Sequence, residues 1–222
     1  MVLIENITKT YMDEKRPVEA LKGVSFHLEK GGFLSVTGSS GSGKTTLMNI
    51  VGCLTHQDGG RFLLDGRDVS ALSENKVSEL RNRSLGFIFQ GFNLIPSMSA
   101  LENVMLPLAL RKMDICERRE AAVKALEAVG LADRINHRPG RLSGGQQQRV
   151  AVARVIACRT PLILADEPTG SLDRRAASEV MDILTQLNEE GVSILLITHD
   201  SRIASLAKSR AVMHDGRLEM IR

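Results

Sequence analysis

Eight consecutive residues, Gly38-Ser39-Ser40-Gly41-Ser42-Gly43-Lys44-Thr45, fit the pattern G-x-x-x-x-G-K-[ST]. This pattern constrains the fold because it needs a strand before it and a helix after it. The flanks supply both: Phe33 to Thr37 is short and apolar, and a helical pattern begins near Lys44. Glycines let a backbone wrap closely around a phosphate. The amides and the helix N-terminus favour a polyanion, Lys44 brings a point charge to the outer phosphates, and the Thr45 hydroxyl can ligate Mg²⁺. The plain alternative, a flexible glycine turn, has no use for that strand-and-helix setting.

Val24 to Leu28, Leu85 to Phe89, Leu162 to Ala165 and Ile194 to Thr198 read as further strands, several of them apolar throughout, as in a parallel sheet covered on both faces. Between the last two, Ala176, Val180, Ile183, Leu184 and Leu187 share one helical stripe that stops at Gly191. Roughly the first 30 residues alternate more loosely, like an antiparallel edge sheet. Gly91 to Ala157 is mainly helical in pattern, with one helix over Arg118 to Val129 closed by Gly130 and another starting near Gln146. Asp215-Gly216 reads as a hairpin turn. The expectation is an α/β fold with a mainly parallel sheet and an antiparallel N-terminal β subdomain in a core of residues 1–90 and 159–222, with a helical subdomain inserted at 91–158.

Composition narrows the partners. With 222 residues, 43% hydrophobic and 25% charged, the chain is neither fibrous, disordered nor a disulfide scaffold. The 29 Lys and Arg against 26 Asp and Glu leave +3, too mild and too evenly spread for a nucleic-acid footprint. Cys53, Cys116 and Cys158 lack paired spacing and read as packing residues. No apolar run nears the roughly 18 residues of a membrane span, and Pro107 breaks the longest, Val104 to Leu110. The N-terminal residues show no signal pattern. The expected place is the cytosol, or a membrane surface reached by holding something that spans it.

Leu162 to Ala165 runs straight into Asp166-Glu167. A strand ending in acids delivers carboxylates to the sheet edge where ligands of open α/β sheets sit. Asp166 then suits Mg²⁺, and Glu167 suits a general base polarising water; a solvated acidic turn is the bland reading. Leu142-Ser143-Gly144-Gly145-Gln146-Gln147-Gln148-Arg149 adds Ser and two glycines before a helix, either a second anion-binding N-terminus or an ordinary cap.

Together these three motifs resemble those of ATP-binding-cassette (ABC) ATPases, and the resemblance runs over nearly the whole chain. It implies the P-loop nucleoside-triphosphatase fold of that family, with ATP and Mg²⁺ bound. It also implies a head-to-tail dimer in which Ser143, Gly144, Gly145 and Gln146 of one chain close over the γ-phosphate held by Gly38 to Thr46 of the other. Four more positions match in order: Gln90 is similar to the Q-loop glutamine that senses Mg²⁺ and water, and Ser171-Leu172-Asp173 to the D-loop that meets the partner. His199 is similar to the switch histidine on the γ-phosphate. Tyr11 resembles the aromatic that stacks on adenine, against which stands an edge-strand or core aromatic.

Gly91 to Leu110 is rich in apolar residues that read as exposed, namely Phe92, Leu94, Ile95, Met98, Leu101, Val104 and Met105. They form either a partner surface or a small satellite core. The resemblance assigns such a surface to the coupling helices of a membrane permease. Met48 to Leu54, Phe87 to Gln90, Leu142 to Arg149, Ala165 to Asp173 and the widened stretch Met12 to Glu19 are similar to macrolide exporters, lipoprotein-releasing systems and related peptide-export or cell-division ATPases. That branch implies a second ATPase subunit, a permease with a large extracytoplasmic domain, and a peripheral place on the cytoplasmic face of the inner or plasma membrane, with no nucleic acid. Two departures stand out: Gly31-Gly32 replaces the family's Gly-Glu, a loss expected to loosen that turn, and Lys44-Thr45-Thr46 replaces Lys-Ser-Thr, which keeps the hydroxyl. The rival readings are a soluble ABC ATPase acting on a ribosome or DNA complex, whose second cassette, coiled coil or zinc segments are not seen here, and a metabolic kinase, which would not need Leu142 to Arg149.

Overall fold

The structure, a computed structural model, describes residues 1–13 and 16–221. In chain order its strands and α-helices are β1 (Val2–Asp13), β2 (Arg16–Leu28), β3 (Phe33–Thr37), α1 (Lys44–Val51), β4 (Gly59–Leu64), β5 (Arg67–Asp68), α2 (Glu74–Ser84), β6 (Leu85–Phe89), α3 (Ala100–Leu110), α4 (Ile115–Ala128), α5 (Gly144–Cys158), β7 (Leu162–Asp166), α6 (Arg174–Glu189), β8 (Ser193–Ile197), α7 (Ser201–Ala204), β9 (Ser209–His214) and β10 (Arg217–Ile221). They fall into two compact units, Met1–Arg81 with Asn188–Arg222, and Asn82–Leu187.

In the first unit the loosely alternating N-terminal residues do form an antiparallel sheet, in the order β2-β1-β4-β5. Leu21, Val24, Phe26 and Leu28 point inward at every second or third position of β2 and are buried, while their neighbours are more exposed. Of the stretch Met12 to Glu19, residues 14 and 15 lie outside the described residues; on either side β1 and β2 pair through Asp13 and Arg16. β3 lies between β8 and β9 and is parallel to both, with β10 antiparallel outside β9. β3 and β8 are buried along nearly their whole length, as their mainly apolar residues require, with Ser35 and Ser193 buried among them. Asp215 and Gly216 turn the β9–β10 hairpin with φ of 44° and 75°, the positive pair that a tight two-residue hairpin needs.

The turn at Gly31-Gly32 is not loose. Gly31 N donates to the buried Ser193 Oγ (2.9 Å), the buried Asn188 Nδ2 donates to Gly31 O (3.0 Å), and Gly32 N donates to Glu29 O (3.0 Å). A Cβ at Gly32 would come within 2.7 Å of Leu28 Cδ1, so this packing closes on the hydrogen atom.

In the second unit β6 and β7 pair in parallel, from Leu85 opposite Leu162 to Phe89 opposite Asp166. Helices α3, α4 and α5 pack on one another, and α5 also covers β6. The contact is tight: a Cβ on Gly86 would lie 2.5 Å from Val155 Cγ1. Val104, Leu108, Ala122, Leu126, Val150 and Val152 fill this helical core, each larger side chain contributing about 1.5–3 kcal/mol by leaving water. The Ala176-to-Leu187 stripe lies on α6, with Val180 and Leu184 fully buried. Among the described residues no helix is long and apolar enough to cross a membrane.

Candidate active site

The first unit builds the glycine-rich loop between β3 and α1 as the sequence requires. Gly38 and Gly43 have φ of 152° and 105°, and a Cβ at either would run into backbone, the carbonyl of Met213 or of Ala20. The loop is thus pressed against β2 and β9, and Gly216 N in the β9–β10 turn holds Ser42 O (3.0 Å). Lys44 Nζ folds back on the loop's own carbonyls, Gly38 O (2.8 Å) and Ser39 O (2.7 Å). Ser39, Ser40, Gly41 and Thr45 are exposed, and Ser42 is buried beneath them. Side chains cap α3, α4, α5 and α7, whereas α1 begins at Gly43 with no side-chain cap. Its first amides, including those of Lys44, Thr45 and Thr46, are therefore suited to an external anion.

His199 leaves the same sheet edge. Val36 pairs with Ile197, and Thr198 N donates to Val36 O (3.2 Å), so Gly38 and His199 follow neighbouring parallel strands off at the same level. His199 is exposed, and just beyond it Asp200 caps α7 while binding the Arg202 guanidinium (2.8 Å), which draws the Asp200 carboxyl down to about 2. Tyr11 lies near the outer end of β1 opposite Val18, 41% exposed, with Lys9 Nζ 5.5 Å from its ring centre. It is not a core aromatic.

The second unit gathers Gln90, Asp166, Glu167 and the D-loop. Since Phe89 sits opposite Asp166, Gln90 and Glu167 leave the ends of two paired strands side by side. Glu167 has φ of 46°, a left-handed backbone that residues with side chains seldom adopt and that gathers at working sites. Gly170 N closes the following turn on Glu167 O (3.0 Å), and Ser171 Oγ donates to Gln90 O (3.2 Å). A Cβ on Gly170 would meet Gln90 Nε2 at 2.9 Å, so the Gln90 amide rests on this turn. Asp173 accepts from Ala176 N (2.9 Å), capping the start of α6.

Ser143 does cap α5. Its hydroxyl accepts from Gln146 N (3.3 Å) while Gln146 Oε1 accepts from Ser143 N (2.9 Å), a capping box. Two of the four unpaired first-turn amides are thereby satisfied, and those of Gly144 and Gly145 are the pair left for an anion.

The stretch after Gln90 is less exposed than its composition implies. Leu101 and Val104 are core residues, and Phe92, Leu94, Ile95, Met98 and Met105 are half-buried; the exposed apolar side chains nearby are Leu106 and Leu110. Two polar residues that the sequence did not single out hold the loop. The buried Asn103 donates to the carbonyls of Ile95, Met98 and Ser99 and accepts from Ile95 N. Arg154 donates to Asn93 O (2.8 Å) and Phe92 O (3.2 Å), and its burial lowers the guanidinium pKa. Gln148, which the sequence placed only as a member of the run Leu142 to Arg149, is buried on α5. Of the cysteines, Cys53 and Cys158 are packed, burial pushing the Cys53 thiol up to about 11, but Cys116 is exposed in the first turn of α4.

A glycine-rich loop that leads from a buried parallel strand into an uncapped helix end is suited to the outer phosphates of a nucleoside triphosphate. The molecule is of the P-loop nucleoside-triphosphatase class. The family model for ABC transporters matches residues 21–170. An uncharacterized ABC transporter ATP-binding protein of Bacillus subtilis, YknY, is 44% identical over 98% of this chain and 95% of its own length. The macrolide export ATP-binding/permease protein MacB of Brucella melitensis is also 44% identical over 98% of this chain, which spans only 34% of MacB. Among solved structures, the dimeric ATP-binding cassette MJ0796 bound to ADP and Pi superposes with a TM-score of 0.92 at 40% identity, covering 100% of this chain and 99% of that one. CbiO1 of Clostridium perfringens gives 0.87 at 29% identity, over 98% and 86%. The chain belongs to the ABC transporter family and is an ATP hydrolase of that type.

Proposed function

We propose that this chain is the ATP-hydrolysing subunit of a membrane transporter. Two chains close head-to-tail around two ATP·Mg²⁺, and their closing and reopening drive a permease that exports or extracts a drug, peptide or lipoprotein, or transmits force. The observation that carries this reading is that one chain has two helix N-termini fit for phosphate, the uncapped start of α1 and the Gly144–Gly145 amides of α5. A self-contained site needs one such end; a site shared by two chains needs both. MJ0796 is a dimer with ADP and Pi, and CbiO1 is part of a transporter complex, which supports the assembly. MacB, an ATP-binding/permease protein, supports a permease partner; in this reading that permease carries a large extracytoplasmic domain, and the whole 1–222 cassette sits peripherally on the cytoplasmic face.

ATP enters with its triphosphate on Gly38 to Thr46, and Lys44 exchanges the carbonyls of Gly38 and Ser39 for phosphate oxygens. Tyr11 stacks on the adenine. The Thr45 hydroxyl, the Asp166 carboxylate and the Gln90 amide offer oxygen donors of the kind that suits Mg²⁺, which keeps waters and phosphate oxygens. Thr45, Asp166 and Gln90 would hold it, and its charge would offset that building on the phosphates. Glu167 takes a proton from water as the water attacks the γ-phosphorus and the bond to the ADP oxygen breaks, leaving ADP and phosphate. His199 steadies that phosphate, Ser143 to Gln146 of the partner chain cover it, and Asp173 carries the contact between chains.

The deciding experiment is Glu167→Gln. The variant is expected to bind ATP normally, lose nearly all turnover and accumulate as a dimer with ATP in light scattering. Turnover near wild type would remove Glu167 from the role of base. Ser143→Arg is expected to abolish cooperative hydrolysis, and cooperativity left intact would dismiss the shared site.

A further inference from the structure

Gln148 is a polar residue placed where α5 needs an apolar one. Its side chain is fully buried. Its amide nitrogen donates to two backbone carbonyls, Phe89 O at the end of β6 (3.2 Å) and Pro168 O in the turn after β7. Its amide oxygen, equally buried, has no hydrogen-bond partner. A buried amide is tolerated for what its polar atoms do, and here the oxygen does nothing. What the position supplies is therefore the pair of donated bonds, and both land next to reactive residues: Phe89 precedes Gln90, and Pro168 follows Glu167.

Glu167 is where such support is needed. Its left-handed backbone, φ 46°, persists only when the surroundings fix it on more than one side. The Gly170 N bond to Glu167 O holds the turn from within, and the Gln148 bond to Pro168 O holds it from α5. The same amide holds the strand end that carries Gln90, whose side chain rests on Gly170.

We propose that Gln148 is a positioning residue for hydrolysis. It ties α5 to the Glu167–Pro168 turn and to the strand end before Gln90, so that a phosphate arriving at the Gly144–Gly145 end of α5 and the setting of the Glu167 carboxylate are mechanically linked. The proposal rests on Glu167 being the base. It acts through Glu167 and touches no substrate itself.

The test is a double-mutant cycle on the full chain with ATP and Mg²⁺. Gln148→Met keeps the length and burial of the side chain and removes the donors; Gln148→Glu keeps its shape and replaces two donors by a group that, ionised, only accepts. Either variant that remains folded by circular dichroism is expected to lower kcat by about tenfold or more with KM for ATP within about twofold. In the Glu167→Gln background Gln148→Met is expected to cause no further loss, because the group it positions is already gone. Losses that multiply would show a general structural role and overturn the proposal, as would an unchanged kcat in Gln148→Met beside an inactive Glu167→Gln. Glu167→Gln at wild-type turnover is a different result: it removes the base assignment, and the proposal with it.

Discussion

Gly43→Ala separates backbone strain from steric room in the phosphate loop. Gly43 and Gly41 both have positive φ, 105° and 77°, so alanine strains either by about 1–2 kcal/mol. An empty loop relaxes from that strain and re-enters it on binding, which weakens ATP affinity by about 5- to 30-fold at each site. Only Gly43 adds a collision. A Cβ there would overlap the carbonyl oxygen of Ala20, come within 2.9 Å of Met213 Cε and 3.2 Å of Leu21 Cδ2, whereas at Gly41 nothing lies within 4 Å. The Met213 end can swing away; the Ala20 carbonyl is strand backbone and cannot. Restoring ordinary contact moves the loop by about 1 Å, a misplacement of the bound phosphates that costs about 10²-fold in rate. Gly43→Ala is therefore expected to lose about 10³-fold in kcat/KM for ATP, with Gly41→Ala near tenfold. Equal losses in the two variants, or a Gly43→Ala kcat/KM within a few-fold of wild type, would refute the argument from Ala20.

Lys44→Ala is expected to abolish ATP binding and also to raise amide exchange at Ser39 and Ser40, since Lys44 braces the loop before nucleotide arrives; unchanged exchange would remove that bracing role. Ser143→Ala removes the hydroxyl that accepts from Gln146 N while leaving the backbone N–H that donates to Gln146 Oε1, and should cost about 1 kcal/mol in chemical denaturation. Phe62→Ala, at a side chain 1% exposed in β4, should cost about 3–5 kcal/mol. The Asp200 carboxyl is depressed to about 2, so the stability it lends is complete above its unfolded value of about 4 and is lost as pH falls toward 2. Asp200→Asn should flatten the stability profile in that window, and a carboxyl resonance titrating near 4 would contradict the ion pair with Arg202.

The parts of the site legible in the sequence are those in which neighbouring residues act together. Gly38 to Thr45 needs only its adjoining strand and helix, and Leu162 to Glu167 shows its burial and its acids in one run. What stayed hidden depends on partners far along the chain. Gln148 and Asn103 look like solvent-facing polar residues in a helical pattern, and only folding shows that each bonds to loop carbonyls inside the core. Leu101 and Val104 read as exposed for the mirror-image reason, because the packing of α3 against α4 and α5 is not written in their spacing. β4 and α2 left little signal, since Gly59–Leu64 buries only Phe62 and Leu64 and Glu74–Ser84 only Val77. The positive φ of Glu167 has no signature in sequence, as glutamate is not a residue that favours it.

The seat of the phosphate loop bears on how the chain is made. Thr37 Oγ1, at the lip of that loop, donates to Ala211 O across 174 residues, and Met213 and Gly216 from the same hairpin back Gly38 and Ser42. A ribosome adding about 5–20 residues each second takes roughly 10–35 s to cover that distance. For most of it β3 lacks both of its neighbours, β8 and β9, and to the end of it the loop lacks its rear wall. Nucleotide in the cell stabilises only a chain that can grip it. The growing polypeptide thus gains nothing from the ATP around it until β9 and β10 have been added, and over that interval β3, a largely apolar strand with at least one edge open, depends on other means to stay out of aggregates.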